Sequence, residues 1–299
     1  MYRTSSDSRY PFSRPSGTAR TATGGLVIAA VVVGFIVACE HGHVSQRTAN
    51  GTVATPAPDP ASTTLTPTAA AAPSASAVPP DVSYATAESA FADHRYPAAS
   101  EMFAAYTARR PDNPWGYYML GLASWRAGQL DPAEHAFEGA LARDPHNVKA
   151  AVNLARVLLE QNRATDALDR ANAAVAMDSG LGEAWRVLGR VQGQLGHSDA
   201  AIDAYQSALK IDSSDVWSLN DLGLELIDVG RFTDAVQPLT QAVQLDSTVP
   251  AFSNNLGLAL ERSGQLTAAA AAYRGALSAD SGYARARVSL ARVEKALGC

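Results

Sequence analysis

From Pro80 onward, apolar side chains fall in two short stretches at helical spacing, parted by a turn that usually contains Gly. The arrangement returns at one constant interval, with Leu120, Leu154, Leu188, Leu222 and Leu256 in register and no insertion between them. Leu120-Gly121, Gly128, Leu130, Ala133, Phe137, Ala140-Leu141 and Asp144-Pro145 set the pattern. Leu154-Ala155, Ala164, Ala167, Ala171, Ala174 and Asp178-Ser179 repeat it, and Leu188-Gly189, Leu222-Gly223 and Leu256-Gly257 open three further copies. A weaker copy upstream holds Ala87, Tyr96, Ala99, Phe103 and Pro111, with Tyr106 where a small Ala is expected. Each period predicts a helical hairpin that cannot bury its apolar face alone, so neighbours must stack into one continuous core. Small residues recur where two helices cross, and Gly121 is expected to face Ala133, as Gly189 faces Ala201. Larger side chains there would overpack the crossing at about 1–3 kcal/mol. Asp131-Pro132-Ala133-Glu134 predicts an N-cap followed by a Pro at the first helical position, and Thr165-Asp166 and Thr233-Asp234 read similarly. Pro238 is placed just inside such a helix, where it perturbs the first turn.

This pattern resembles the tetratricopeptide repeat: a Leu-Gly pair, then Ala, an aromatic, Ala and Pro, over a period of about 34 residues. The terminal Pro survives only at Pro111 and Pro145; Ser179, Ser213, Ser247 and Ser281 replace it, and the preceding Asp with this Ser is expected to keep the turn. The resemblance implies an all-α, right-handed superhelical solenoid over residues 80–299. Its repeats are 80–113, 114–147, 148–181, 182–215, 216–249 and 250–283, closed by a capping helix at 284–297 whose Arg285, Arg287, Arg292 and Lys295 form a solvated face.

In that family the first helix of each repeat lines a concave face that binds peptides or helices of partners. Carried onto this chain, the resemblance points to Trp115, Tyr118, Leu122, Trp125 and Arg126 near one end. Lys149, Arg156, Leu159, Glu160, Glu183, Arg186 and Arg190 follow, then Trp217, Asn220, Leu224, Asn254, Leu258, Glu261 and Arg262. Trp115, Tyr118 and Trp125 share one broad face, either as binding anchors or as a seal on the first repeat interface. Trp185 fills the family's own core slot. Arg156, Arg186 and Arg190 either hold a partner's carboxylates or pair locally with Glu160 and Glu183. No three-repeat window holds the full Lys/Asn/Arg set with which some members clamp a C-terminal carboxylate.

Upstream the patterning changes twice. The run from Thr21 to Cys39 has no charge and no polar face, so it is expected to meet lipid as a signal segment or a membrane span. Arg3, Arg9, Arg14 and Arg20 lie only on its N-terminal side, which sends the remainder across the membrane. Ile36-Val37-Ala38-Cys39 resembles the bacterial lipobox, which implies lipidation of Cys39 and cleavage before it; the alternative is an uncleaved signal-anchor. Residues 1–39 thus form a targeting segment. Residues 40–79, with six prolines among Ala, Ser and Thr, are predicted to be a disordered tether. As a flexible coil it averages roughly 35 Å; as a polyproline-like form it reaches about 120 Å.

Charge and chemistry narrow the functional class. Net charge is −5, and −8 once residues 1–38 with their +3 are set aside, which argues against nucleic acid as a partner. Two cysteines, Cys39 and Cys299, exclude a disulfide scaffold. His41 and His43 lack a third metal ligand nearby, and no nucleophile elbow, phosphate loop or dinucleotide fingerprint appears, so no catalysis, cofactor or metal is expected. The expected protein is a membrane-tethered, extracytoplasmic and bacterial docking scaffold in a cell-envelope assembly. The alternative is a regulatory accessory subunit of an envelope enzyme or of a pilus or secretion machine. If Cys39 carries lipid, cells fed labelled fatty acid will label the wild-type chain and not Cys39→Ala; an unlabelled wild type leaves the signal-anchor.

Overall fold

The computed structural model describes residues 82–298; the apolar run 21–39 with Cys39, the tether 40–79 and the His41/His43 pair lie outside them. The described residues form thirteen α-helices and no strand, and none of these helices is long and apolar enough to cross a membrane. In order they are α1 (Tyr84–Ala92), α2 (Tyr96–Arg109), α3 (Pro114–Arg126), α4 (Leu130–Arg143), α5 (Val148–Glu160), α6 (Ala164–Met177), α7 (Gly182–Gln194), α8 (Ser198–Ile211), α9 (Val216–Asp228), α10 (Phe232–Leu245), α11 (Pro250–Arg262), α12 (Leu266–Ala279) and α13 (Ala284–Leu297). From α3 on, each odd-numbered helix starts one full period after the last, and from α2 on so does each even-numbered one. Every helix packs on its sequence neighbours, which makes a solenoid. Successive odd helices from α3 on also touch one another, whereas the even helices do not pack together to a comparable extent. The odd row is therefore the compressed, inner side of the curve, and its solvent face is concave.

Four of the six hairpins share one recurring contact. A Cβ on Gly121 would lie 2.6 Å from the Phe137 ring; on Gly189, 2.6 Å from Tyr205; on Gly223, 2.4 Å from Leu239; on Gly257, 2.6 Å from Tyr273. The large side chain sixteen residues later lies across the bare glycine backbone. This corrects the expected partners: Ala133 and Ala201 are fully buried, but the ring, not the methyl, covers the glycine. At the equivalent place in the third hairpin, Ala155 replaces the glycine and Ala171 replaces the large side chain, and both are fully buried. Tyr106 is accommodated in the same way, because Gly116 opposite it has no Cβ; the would-be atom falls 2.9 Å from Tyr106 Cε1. Asn113 Nδ2 also donates to its hydroxyl at 2.9 Å.

The turns have their own chemistry. Gly128, Gly196, Gly230 and Gly264 take φ of +76° to +82° between the helices of a pair, and Asn162 and His94 take +60° and +59° at the corresponding points. Asn and His are among the non-glycine residues that tolerate this region best. Because the left-handed residue fixes the exit of the chain, the even helices begin earlier than their Asp and Thr signals indicate. Gln129, Arg163 and Arg231 occupy the cap positions, without side-chain caps, and Asp131, Asp166 and Asp234 lie inside the first turn. Asp166 and Asp234 instead accept from the preceding Arg163 and Arg231 at 2.7 and 2.8 Å. Pro238 sits in the second turn of α10, buried, where its missing N–H removes a bond to the Asp234 carbonyl. Between pairs, Asp144, Asp178, Asp212, Asp246 and Asp280 each accept the backbone N–H two residues on, at 2.8–3.1 Å. The aspartate, rather than the serine after it, keeps the turn where Pro is absent.

α13 buries only Ala286 and Val293 and leaves Val288 65% exposed. Its Arg292 is not a free solvated charge: it makes two bonds to Glu261 of α11, at 2.7 and 2.8 Å.

Gly121→Val should lower stability by about 1–3 kcal/mol in thermal unfolding followed by circular dichroism, because the Phe137 ring has nowhere to move. Ala155→Gly should cost only about 1 kcal/mol, the helix-propensity difference. Equal effects at the two sites would sink the ring-on-glycine account.

Candidate functional site

Odd helices present to the concave side the residues that recur at their second, fifth and ninth places, which share one helical face. The first section combines aromatics and cations. Trp115 is half-buried with its ring 4.9 Å from that of Tyr118, and Tyr118 is buried, 6.0 Å from Phe137. Burial raises the Tyr118 hydroxyl above its ordinary pKa, and Asn153 Nδ2 donates to it at 3.4 Å across the repeat boundary. Trp125 is half-buried, and its Nε1 donates to Glu160 Oε1 of α5 at 3.0 Å. Arg126 is exposed, with its guanidinium 5.4 Å from the Trp125 ring centroid. The aromatic face therefore both seals the α3–α5 contact and reaches the groove.

The middle section is laced by the chain's own charges. Arg156 pairs with Glu183 of α7 at 2.6 Å and donates to Asn153 Oδ1 at 3.2 Å. Burial draws its pKa down, and Glu183 opposes that. Arg186 pairs with Asp215 at 3.2 Å, and Asp215 also caps α9 through the Trp217 N–H and accepts from the Ser218 hydroxyl. Of the anticipated local partners, Glu183 takes Arg156, whereas Glu160 goes to Trp125. Arg190 is exposed and makes no ion pair among the described residues.

In the last section Trp217 is 49% exposed, its ring edge-on to Phe252 at 5.2 Å. Asn220 and Asn254 are buried and belong to a chain of amides between α9 and α11. Asn254 donates to Asn255 at 3.4 Å, Asn255 to Asn220 at 2.8 Å, and Asn220 to Asp221 at 3.3 Å. Glu261 accepts the Tyr273 hydroxyl at 2.7 Å as well as Arg292. Trp185 packs against the core with its Nε1 donating to the Ser179 carbonyl at 2.9 Å.

Sequence reasoning missed one feature. Between α7 and α9 lies a cleft walled by Arg190, Asp221, Leu224 and Glu225 and floored by Tyr205. Its signal was Gly193, which stands where the other odd helices carry Trp125, Leu159, Ile227 and Glu261. No group of three or more metal-ligating side chains occurs among the described residues.

Stacked helical hairpins with a continuous inner row define a helical-repeat scaffold. The chain belongs to the tetratricopeptide repeat family, whose profile matches residues 84–148, 118–182, 153–216 and 220–284. No curated protein matches it. A thermophilic TPR protein of Thermus thermophilus is 23% identical, with 60% of this chain and 98% of that one covered at a TM-score of 0.52. The C-terminal part of a TPR repeat-containing protein from Cytophaga hutchinsonii is 16% identical, covering 71% and 84% at 0.56. YrrB, a TPR protein with an unusual peptide-binding site, is 17% identical, covering 64% and 98% at 0.50. At these identities the likeness is one of fold. The family's members are in general non-enzymatic scaffolds for protein and peptide partners.

Glu261 generates a pH signature. Its two bonds from Arg292 hold the carboxyl below the ordinary range against the opposing effect of burial, and the Tyr273 hydroxyl adds to the lowering. The folded value lies below the unfolded one, so the stabilisation is complete above the ordinary carboxylate range and is lost as pH falls through the folded value. Glu261→Gln should cost about 1 kcal/mol at neutral pH, with the gap to wild type closing below about pH 4 in thermal melts. A gap independent of pH would refute the assignment.

Proposed function

We propose that the concave row of odd helices docks a segment of a partner protein, and that residues 1–79 hold this scaffold on the outer side of a membrane within a cell-envelope assembly. The observation that carries docking is Trp217, half-exposed on the inner face of a stacked helix row. An indole left in water on a concave, preformed surface offers large buried area at little cost in ordering. Trp125 and Arg126 extend the same face toward α3, and the shared fold of YrrB is consistent with a peptide in that groove. The tethering half of the reading rests on the uncharged run 21–39, the arginines before it and the proline-rich stretch after it.

Crosslinking in cells, followed by mass spectrometry of what is caught, tests docking. The wild-type chain should yield one reproducible partner. Trp217→Ala should reduce its recovery roughly tenfold or more, with helical content unchanged. Full recovery with Trp217→Ala would move docking off this face.

A further inference from the structure

The hairpins α7–α8 and α11–α12 share a tyrosine but differ in the residue that stands over it. In the later hairpin Glu261 reaches over the inner face, and its carboxylate accepts the Tyr273 hydroxyl at 2.7 Å. The counterparts two repeats earlier are Gly193 and Tyr205. Tyr205 is only 4% exposed and lines one cleft with Asp221, Glu225 and Arg190, and its hydroxyl has no hydrogen-bond partner among the described residues. The Glu225 carboxylate enters part of the space that Glu261 takes in α11, and the remainder beside Gly193 and Tyr205 is a cleft of about 290 Å³. Glu225 Oε2 leans toward the gap, 2.6 Å from where a Cβ on Gly193 would stand.

We propose that this cleft takes a basic side chain, an arginine or lysine, of the partner segment lying in the groove. The proposal deepens the docking reading and rests on it. Asp221, Glu225 and Asp228 line the cleft with Arg190, a lining charge of −2, and Arg186 nearby is paired with Asp215. An incoming carboxylate would meet three of its own kind, whereas a guanidinium or ammonium meets three acceptors. The Tyr205 oxygen supplies a lone pair to an incoming N–H, and Leu224 walls the space where the aliphatic stem of the guest would pass. Burial holds the Asp221 carboxyl above its ordinary range, with Arg190 pulling the other way. A cation seated beside Asp221 would favour its charged form.

The test uses the full-length chain in detergent and short dye-labelled Ala/Ser peptides that carry arginine, norleucine or glutamate at the same place. Fluorescence anisotropy should show the arginine peptide binding at least about tenfold tighter than the norleucine one, with glutamate weakest. Gly193→Leu, which installs the residue α5 carries at Leu159, should erase that preference while helicity holds or rises. Tyr205→Phe removes only the hydroxyl and should reduce the preference, and so covers a Gly193→Leu chain that fails to fold. The absence of arginine preference in the wild type, or a glutamate peptide that binds best, overturns the proposal. An arginine preference unchanged by Gly193→Leu or Tyr205→Phe also overturns it, yet leaves groove docking standing, since docking is read by capture in cells and its loss with Trp217→Ala.

Discussion

A hairpin of two short helices can close only if their backbones approach, and in four of the six hairpins a glycine lies beneath a ring or a leucine sixteen residues later. Gly121 under Phe137, Gly189 under Tyr205, Gly223 under Leu239 and Gly257 under Tyr273 are one contact repeated. At those four glycines an added Cβ would come within 2.6 Å of the covering side chain, closer than close packing allows. The contact is not the only solution, since the matching pairs are Ala87 with Phe103 in the first hairpin and Ala155 with Ala171 in the third, all four fully buried.

The stacking of hairpins obeys a second rule. Interfaces between successive odd helices are tied by polar side chains: Trp125 to Glu160, Asn153 to Tyr118, Arg156 to Glu183, Arg186 to Asp215, Asn255 to Asn220 and Arg292 to Glu261. Several of these groups are half-exposed, so each tie adds little free energy by itself. Their directionality is the larger contribution, since a hydrogen bond across the boundary sets the stagger of one hairpin on the next, which apolar contact alone leaves loose.

These ties also set what the concave face offers a guest. Arg156, Glu183, Arg186 and Glu261 are already matched within the chain. Left unmatched among the described residues are Trp217, half in water, the cations Arg126, Lys149, Arg190 and Arg262, which make no ion pair, and the cleft above Tyr205. Specificity on such a surface comes from the few unmatched groups, because matched ones resist any guest that breaks them.

The repeat and the helical class were legible in the chain, because an unbroken period with fixed Leu-Gly, Ala and aromatic positions leaves one way to bury its apolar stripes; the inner row followed only from the family resemblance. Local turn chemistry was legible in kind but not in register. Asp131, Asp166 and Asp234 look like caps, yet the left-handed residue before each helix, a glycine or Asn162, decides where the helix begins. The partners of Gly121 and Gly189 were misplaced by four residues, because which neighbour covers a bare backbone depends on ring reach and crossing angle. Asn220 and Asn254 read as groove residues and are buried ties, while Gly193 read as nothing and opens a cleft. Chain order is enough to specify which residues share a helix face, since helical geometry is local. Whether a side chain on that face meets a partner, a neighbour or empty space is settled only once the next hairpin is seated against it.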